Sequence, residues 1–222
     1  TTVCSGTAFT VTPTNGSGNI VPSGTTYTWT VAANANVTGA SNQSTATSTI
    51  SQTLTNTSNT VQTVVYTVTP ISGTCSGATF TVTVTVNPTP TVTAQAATIC
   101  SGNAFSVAPS NGSGNIVPTG TTYSWSAPAA ITGISGLAAG TAQTTIGGTL
   151  TNTTAAPINV TYVVTPTSGS CVGASFNVVV TVNPRPAITN MTATICSGTA
   201  FTAAPVNVTN GVVPTGTTYT WT

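Results

Sequence analysis

Five cysteines carry the only thiol chemistry in this sequence: Cys4, Cys75, Cys100, Cys171 and Cys196. Cys4 and Cys75 are 71 residues apart, and so are Cys100 and Cys171. Thiols this widely spaced do not form the close pairs of a zinc site. They suit structural disulfides, which form in oxidising compartments outside the cytoplasm. Two pairings of neighbours are open. One joins Cys4 to Cys75 and Cys100 to Cys171, each inside one sequence unit. The other joins Cys75 to Cys100 across a unit boundary. The within-unit pairing is the expected one, and closing such a loop contributes roughly 3–4.5 kcal/mol on the chain-entropy model. Cys196 then has its partner outside the chain.

Little other chemistry is available. Among 222 residues there is no Asp, Glu or His, and Arg185 is the single charged side chain. General acid–base catalysis draws on His, Asp, Glu or Lys. A serine nucleophile has no base beside it. Calcium and magnesium sites are built on carboxylates. One arginine cannot neutralise a nucleic-acid backbone. No apolar run is long enough to span a membrane as a helix. The sequence therefore argues against an enzyme, a cofactor, a nucleic-acid partner and membrane insertion of this segment.

The residues that position these cysteines recur with a fixed period. "CSGTAFTVTPTNGSGNIVPSGTTYTWT" begins at Cys4, "CSGNAFSVAPSNGSGNIVPTGTTYSWS" at Cys100 and "CSGTAFTAAPVNVTNGVVPTGTTYTWT" at Cys196. The period is 96 residues, without insertion or deletion. The last thirty residues repeat the first thirty, so the chain reads as a window on a longer array. Boundaries fall at the Asn-Pro-x-Pro stretches, Asn87–Pro90 and Asn183–Pro186, because proline cannot donate to a strand ladder. Three units follow. Residues 1–88 are a repeat expected to lack its first strand, 89–184 a complete repeat, and 185–222 the N-terminal part of a truncated third.

The complete unit reads as seven strands, at 91–96, 104–109, 121–127, 131–135, 142–152, 158–166 and 174–184. Thr accounts for 56 residues, and Thr and Val favour strands because β-branched side chains suit a pleated surface. Helix signals are absent. Short alternating strands separated by turns indicate an all-β fold of tandem immunoglobulin-like sandwiches. In 79–86 Phe80, Val82, Val84 and Val86 share one face and four threonines the other. The expected core is Phe9, Trp29, Tyr66 and Phe80 in the first unit, and Phe105, Trp125, Tyr162 and Phe176 in the second. Asn15 and Asn19, with their counterparts Asn111 and Asn115, lie in Asn/Gly-rich loops that could bind a glycan or simply turn the chain.

The elements "ICSG", "GTTYTWT", "VTYVVTP" and "VTVNP" resemble the PKD-like, immunoglobulin-like repeats of giant Bacteroidota cell-surface adhesins, secreted by the type IX system and including gliding-motility adhesins. The resemblance covers the whole chain. It implies an extracellular, cell-surface structural segment: a stiff stalk or filament whose partners are neighbouring repeats of the same chain. Alternatives are a glycan- or surface-binding module acting through the Asn/Gly loops, and a fibre that bundles with other copies. PKD domains also carry acidic turns of the "FGDG" kind. This chain has none, so no calcium role carries over.

Overall fold

The computed structural model describes residues 1–222, all in strands, turns and loops. In the first repeat the strands are β1 (Thr2–Cys4), β2 (Ala8–Val11), β3 (Thr26–Val31), β4 (Val37–Thr38), β5 (Gln43–Thr47), β6 (Ile50–Thr53), β7 (Thr55–Asn56), β8 (Gln62–Ser72), β9 (Cys75–Ser76) and β10 (Phe80–Asn87). The second repeat has β11 (Gln95–Cys100), β12 (Ala104–Val107), β13 (Thr122–Trp125), β14 (Ile134–Ser135) and β15 (Gly140–Gln143). It continues with β16 (Ile146–Thr149), β17 (Thr151–Asn152), β18 (Ile158–Ser168), β19 (Cys171–Val172) and β20 (Phe176–Asn183). Beyond it lie only β21 (Ala187–Ile188) and β22 (Gly211–Val212).

Each repeat builds one large sheet, in the order β1-β10-β8-β3-β5 and β11-β20-β18-β13-β15. The opening strand runs parallel to the last one, and the others pair antiparallel. Two short ladders, β2 with β6 and β4 with β7, supply the opposing layer of the first repeat, and β12 with β16 and β14 with β17 that of the second. The chain packs as two compact units. One holds Thr1–Val92 with Ser110–Thr122 and Pro166–Ala174, and the other Thr93–Pro109 with Tyr123–Thr165 and Ser175–Thr222.

Alternation sets the core. Val82, Val84 and Val86 of β10 point inward, while Thr81 and Thr83 face solvent. Phe9, Trp29 and Tyr66 are buried together, and half-buried Phe80 packs against them. The Tyr66 ring lies 5.2 Å from Phe9 and 6.4 Å, edge-on, from Trp29. Phe105, Trp125, Tyr162 and Phe176 are buried in the second repeat with the same geometry, Phe105 to Tyr162 being 5.4 Å. No buried polar side-chain atom lacks a hydrogen-bond partner.

Three details differ from the sequence reading. The first strand of the second repeat is Gln95–Cys100 rather than 91–96, because Thr91 pairs with a loop instead. The first repeat, expected to lack this strand, carries its last three residues as β1. The 142–152 stretch, read as one strand, breaks at Thr144-Thr145 and again at Leu150, and Gly147-Gly148 lie inside β16 against Phe105. The third stretch forms no aromatic strand. Phe201 is 64% and Trp221 88% exposed, and neither lies in a strand.

A pH profile follows from this core. Burial raises the pKa of Tyr27, Tyr123 and Tyr162, and pushes that of Tyr66 up to about 12. Below pH ~10 these phenols are neutral in both folded and unfolded chains. Above it the unfolded chain ionises first and binds fewer protons than the folded one, so stability falls as pH rises through ~10 towards 12. No carboxylate side chain or imidazole titrates at lower pH. The urea midpoint, followed by tryptophan fluorescence, is expected to be flat from pH 3 to 8 and to drop above pH 10.

Candidate functional site

The most heavily constructed surface is one end of a repeat, within the first compact unit. It begins with the linker. Pro88, Pro90 and Val92 are buried, although prolines between strands suggest an exposed spacer. Thr89 donates its hydroxyl to the Ser5 carbonyl at 3.1 Å. Thr91 and Ile116 exchange two backbone hydrogen bonds, at 2.9 and 2.8 Å. This pairing holds the loop before β13 against the linker.

A hairpin closes the other side. Ser168 pairs with Cys171 across a tight turn that places Gly169 at φ +57°. The Gly173 amide donates to the Pro166 carbonyl at 2.9 Å. A Cβ at Gly173 would overlap the Pro90 carbonyl oxygen, so only glycine lets the hairpin approach the linker backbone. Pro118 and Pro166 are buried at this contact, and the Thr121 hydroxyl donates to the Pro118 carbonyl at 2.7 Å.

A disulfide fastens the contact. Cys4 is bonded to Cys171, with Cα atoms 5.5 Å apart and a sequence separation of 167. Cys171 is 1% exposed, while Cys75, Cys100 and Cys196 are free and exposed. This corrects the expected pairing of Cys4 with Cys75 and of Cys100 with Cys171. The end of β1 lies beside the hairpin that follows the linker, at Cys171.

The Asn/Gly loops are held by their own backbones. The Asn15 side-chain carbonyl accepts from the Val21 amide at 3.0 Å, and that of Asn111 from the Val117 amide at 3.1 Å. Asn19 pairs through its backbone with Gly16, and Asn115 with Gly112. The Asn115 side-chain amide donates to the Ser110 carbonyl at 3.3 Å.

Sequence reasoning missed Asn56 and Asn152. Each is buried and donates to two carbonyls, those of Thr60 and Val86 for Asn56 and those of Ala156 and Val182 for Asn152. Each backbone amide also donates, at 2.9 Å, to the hydroxyl of the serine after the first cysteine, Ser5 or Ser101. Their recurrence at the 96-residue period was the available signal. Arg185 donates to the Asn103 side-chain carbonyl at 3.1 Å and takes part in no ion pair with a side chain, there being no acidic one. No group of three or more His, Cys, Asp or Glu is placed to hold a metal ion.

Parallel first and last strands, a tryptophan on the third strand and a two-layer core define tandem all-β sandwich modules of immunoglobulin-like topology, without catalytic residues. The chain belongs to the PKD-like domain family, whose model matches residues 1–90 and 97–186. Curated protein sequences give no match. Among solved structures, the immunoglobulin domains 1–4 of Sidekick-1 align at 12% identity and a TM-score of 0.29, over 82% of this chain and 45% of that one. Mouse cadherin-23 EC22-24 aligns at 11% identity and 0.25, over 72% and 53%. The zebrafish RET cadherin-like domains 1 to 4 align at 14% identity and 0.23, over 73% and 42%. This chain thus spans about half or less of each of these chains.

Proposed function

We propose that this chain is a structural segment of an extracellular stalk or filament on a bacterial surface adhesin of the Bacteroidota kind. Repeats divide at 88 and 184 in this reading. The observation that supports it is the join between repeats. Buried prolines, a glycine contact and a disulfide make it a packed joint, where a flexible tether would need only exposed polar residues. A near-absence of charge makes such a joint insensitive to salt, because there are no surface ion pairs to screen. The disulfide suits an oxidising exterior. Antibodies raised to the folded chain and applied to intact source cells test this. Label on unpermeabilised cells, along projections, is the expected result. Label that appears only after permeabilisation would show the reading to be wrong.

A further inference from the structure

The Cys4–Cys171 bond changes which residues can carry a pull along the chain. Tension follows the shortest covalent path, because each ladder hydrogen bond is weak and a disulfide is covalent. That path enters at β1, crosses the bond and leaves through β19 and β20. Residues 5–170 are not on it. They hold every strand from β2 to β18, and with them Phe9, Trp29, Tyr66, Phe105, Trp125 and Tyr162. The sequence separation of 167 exceeds the 96-residue period, so the bypass covers more than one repeat. A bond between Cys4 and Cys75, 71 residues apart, would spare only part of one.

Both ends of the bond are anchored. On one side β1 runs parallel to β10 over Thr2, Val3 and Cys4, and the Ser5 amide donates to the Asn87 carbonyl at 2.8 Å. On the other, Cys171 pairs with Ser168 across the hairpin, and the Gly173 amide holds the Pro166 carbonyl. Cys171 is buried and Cys4 half-buried, so Cys4 is the more open partner for an attacking thiolate.

We propose that the Cys4–Cys171 bond is a load-bearing tether, which takes tension off residues 5–170 for as long as it is oxidised. An unfolded chain extends by at most ~3.6 Å per residue, so the bond withholds about 600 Å of length. Reduction by a dithiol returns that length to a pulled chain. One thiolate of dithiothreitol attacks the sulfur of Cys4 and expels Cys171 as a thiolate. The second thiolate then closes the reductant into a ring and releases Cys4. Both cysteines gain an electron and a proton, and the dithiol becomes a cyclic disulfide. The tether deepens the stalk reading and rests on it only for the presence of a pull on the intact protein.

The test stretches single molecules of the full chain, carrying Cys196→Ser, between handles ligated to its two termini through peptide tags. Cys4, Cys75, Cys100 and Cys171 all remain, so every pairing among them is open. Without dithiothreitol the fully stretched length between the handles is expected to be about 200 Å, because only residues 1–4 and 171–222 can unravel. With dithiothreitol the length should rise about fourfold, to about 800 Å. A bond between Cys75 and Cys100 would lie inside the bypassed loop and leave both lengths unchanged. About 300 Å without reductant would mean two bonds within single repeats, about 550 Å one such bond, and about 800 Å no bond at all. Each of these three lengths would overturn the proposal. None of the lengths depends on where the protein is found on cells, so the tether can fail while the stalk reading stands.

Discussion

Replacing Cys171 by serine is expected to lower the free energy of unfolding by about 5 kcal/mol, while Cys75→Ser leaves it unchanged. The magnitude comes from the 167-residue separation of the bonded cysteines, which makes the closed loop longer than most. On the chain-entropy model the unfolded state loses about 17 cal/mol/K for a loop of that length, or about 5 kcal/mol at room temperature. The serine hydroxyl would also replace a sulfur that is 1% exposed, adding a desolvation cost. Cys75 sits at the same hairpin position but is exposed and unbonded, so its loss removes no constraint. Urea unfolding with and without reductant measures both effects. A chymotryptic digest of the unreduced protein identifies the bond itself. Cys4 falls in the peptide Thr1–Phe9, and Cys171 in Val163–Phe176. Recovery of Thr1–Phe9 joined to Thr67–Phe80 instead would show Cys4 paired within its own repeat, and the packed joint would lose its fastening.

That bond was the part of the site least legible in the sequence, for a reason intrinsic to repeats. A fixed period makes Cys75 and Cys171 equivalent, so spacing alone cannot say which of them Cys4 meets. The choice depends on which hairpin lies near the end of β1, and that is decided by the path of the Asn87–Val92 linker. The linker itself was legible only as a strand break. Its prolines are where a ladder must stop, but their burial depends on a glycine 83 residues away, Gly173, which leaves room for the Pro90 carbonyl. The fold was far more readable. In β10 and β20 the inward Val and Phe positions alternate with Thr, Asn and Val, and that period of two fixes both the strand and its buried face. The tail shows the limit of local pattern. "GTTYTWT" forms a buried strand at β3, between β5 and β8, yet Trp221 in the same motif is 88% exposed. A strand with one apolar face is stable only when a second layer covers it.

Tyr66→Ala is the second large effect, expected to cost about 4 kcal/mol. Tyr66 is fully buried on β8 and touches both layers through Phe9 and Trp29. Truncation leaves a ring-sized void that neighbouring strands, held by their ladders, cannot close. Its hydroxyl gives a finer test. Tyr66 donates to the Gln52 side-chain carbonyl at 2.9 Å, and that oxygen also accepts from the Ser41 amide at 3.1 Å. Tyr66→Phe therefore removes one of two donors to Gln52 and should cost no more than about 1 kcal/mol. The second repeat provides the control. Position 148, the counterpart of Gln52, is glycine, so Tyr162 has no glutamine to donate to. Tyr162→Ala should match Tyr66→Ala, because Phe105 and Trp125 surround it in the same geometry. Tyr162→Phe should be closer to neutral than Tyr66→Phe, and urea unfolding of the four variants separates packing from hydrogen bonding. Equal costs for the two phenylalanine variants would mean that the Gln52 bond contributes nothing, leaving ring packing as the whole role of this tyrosine.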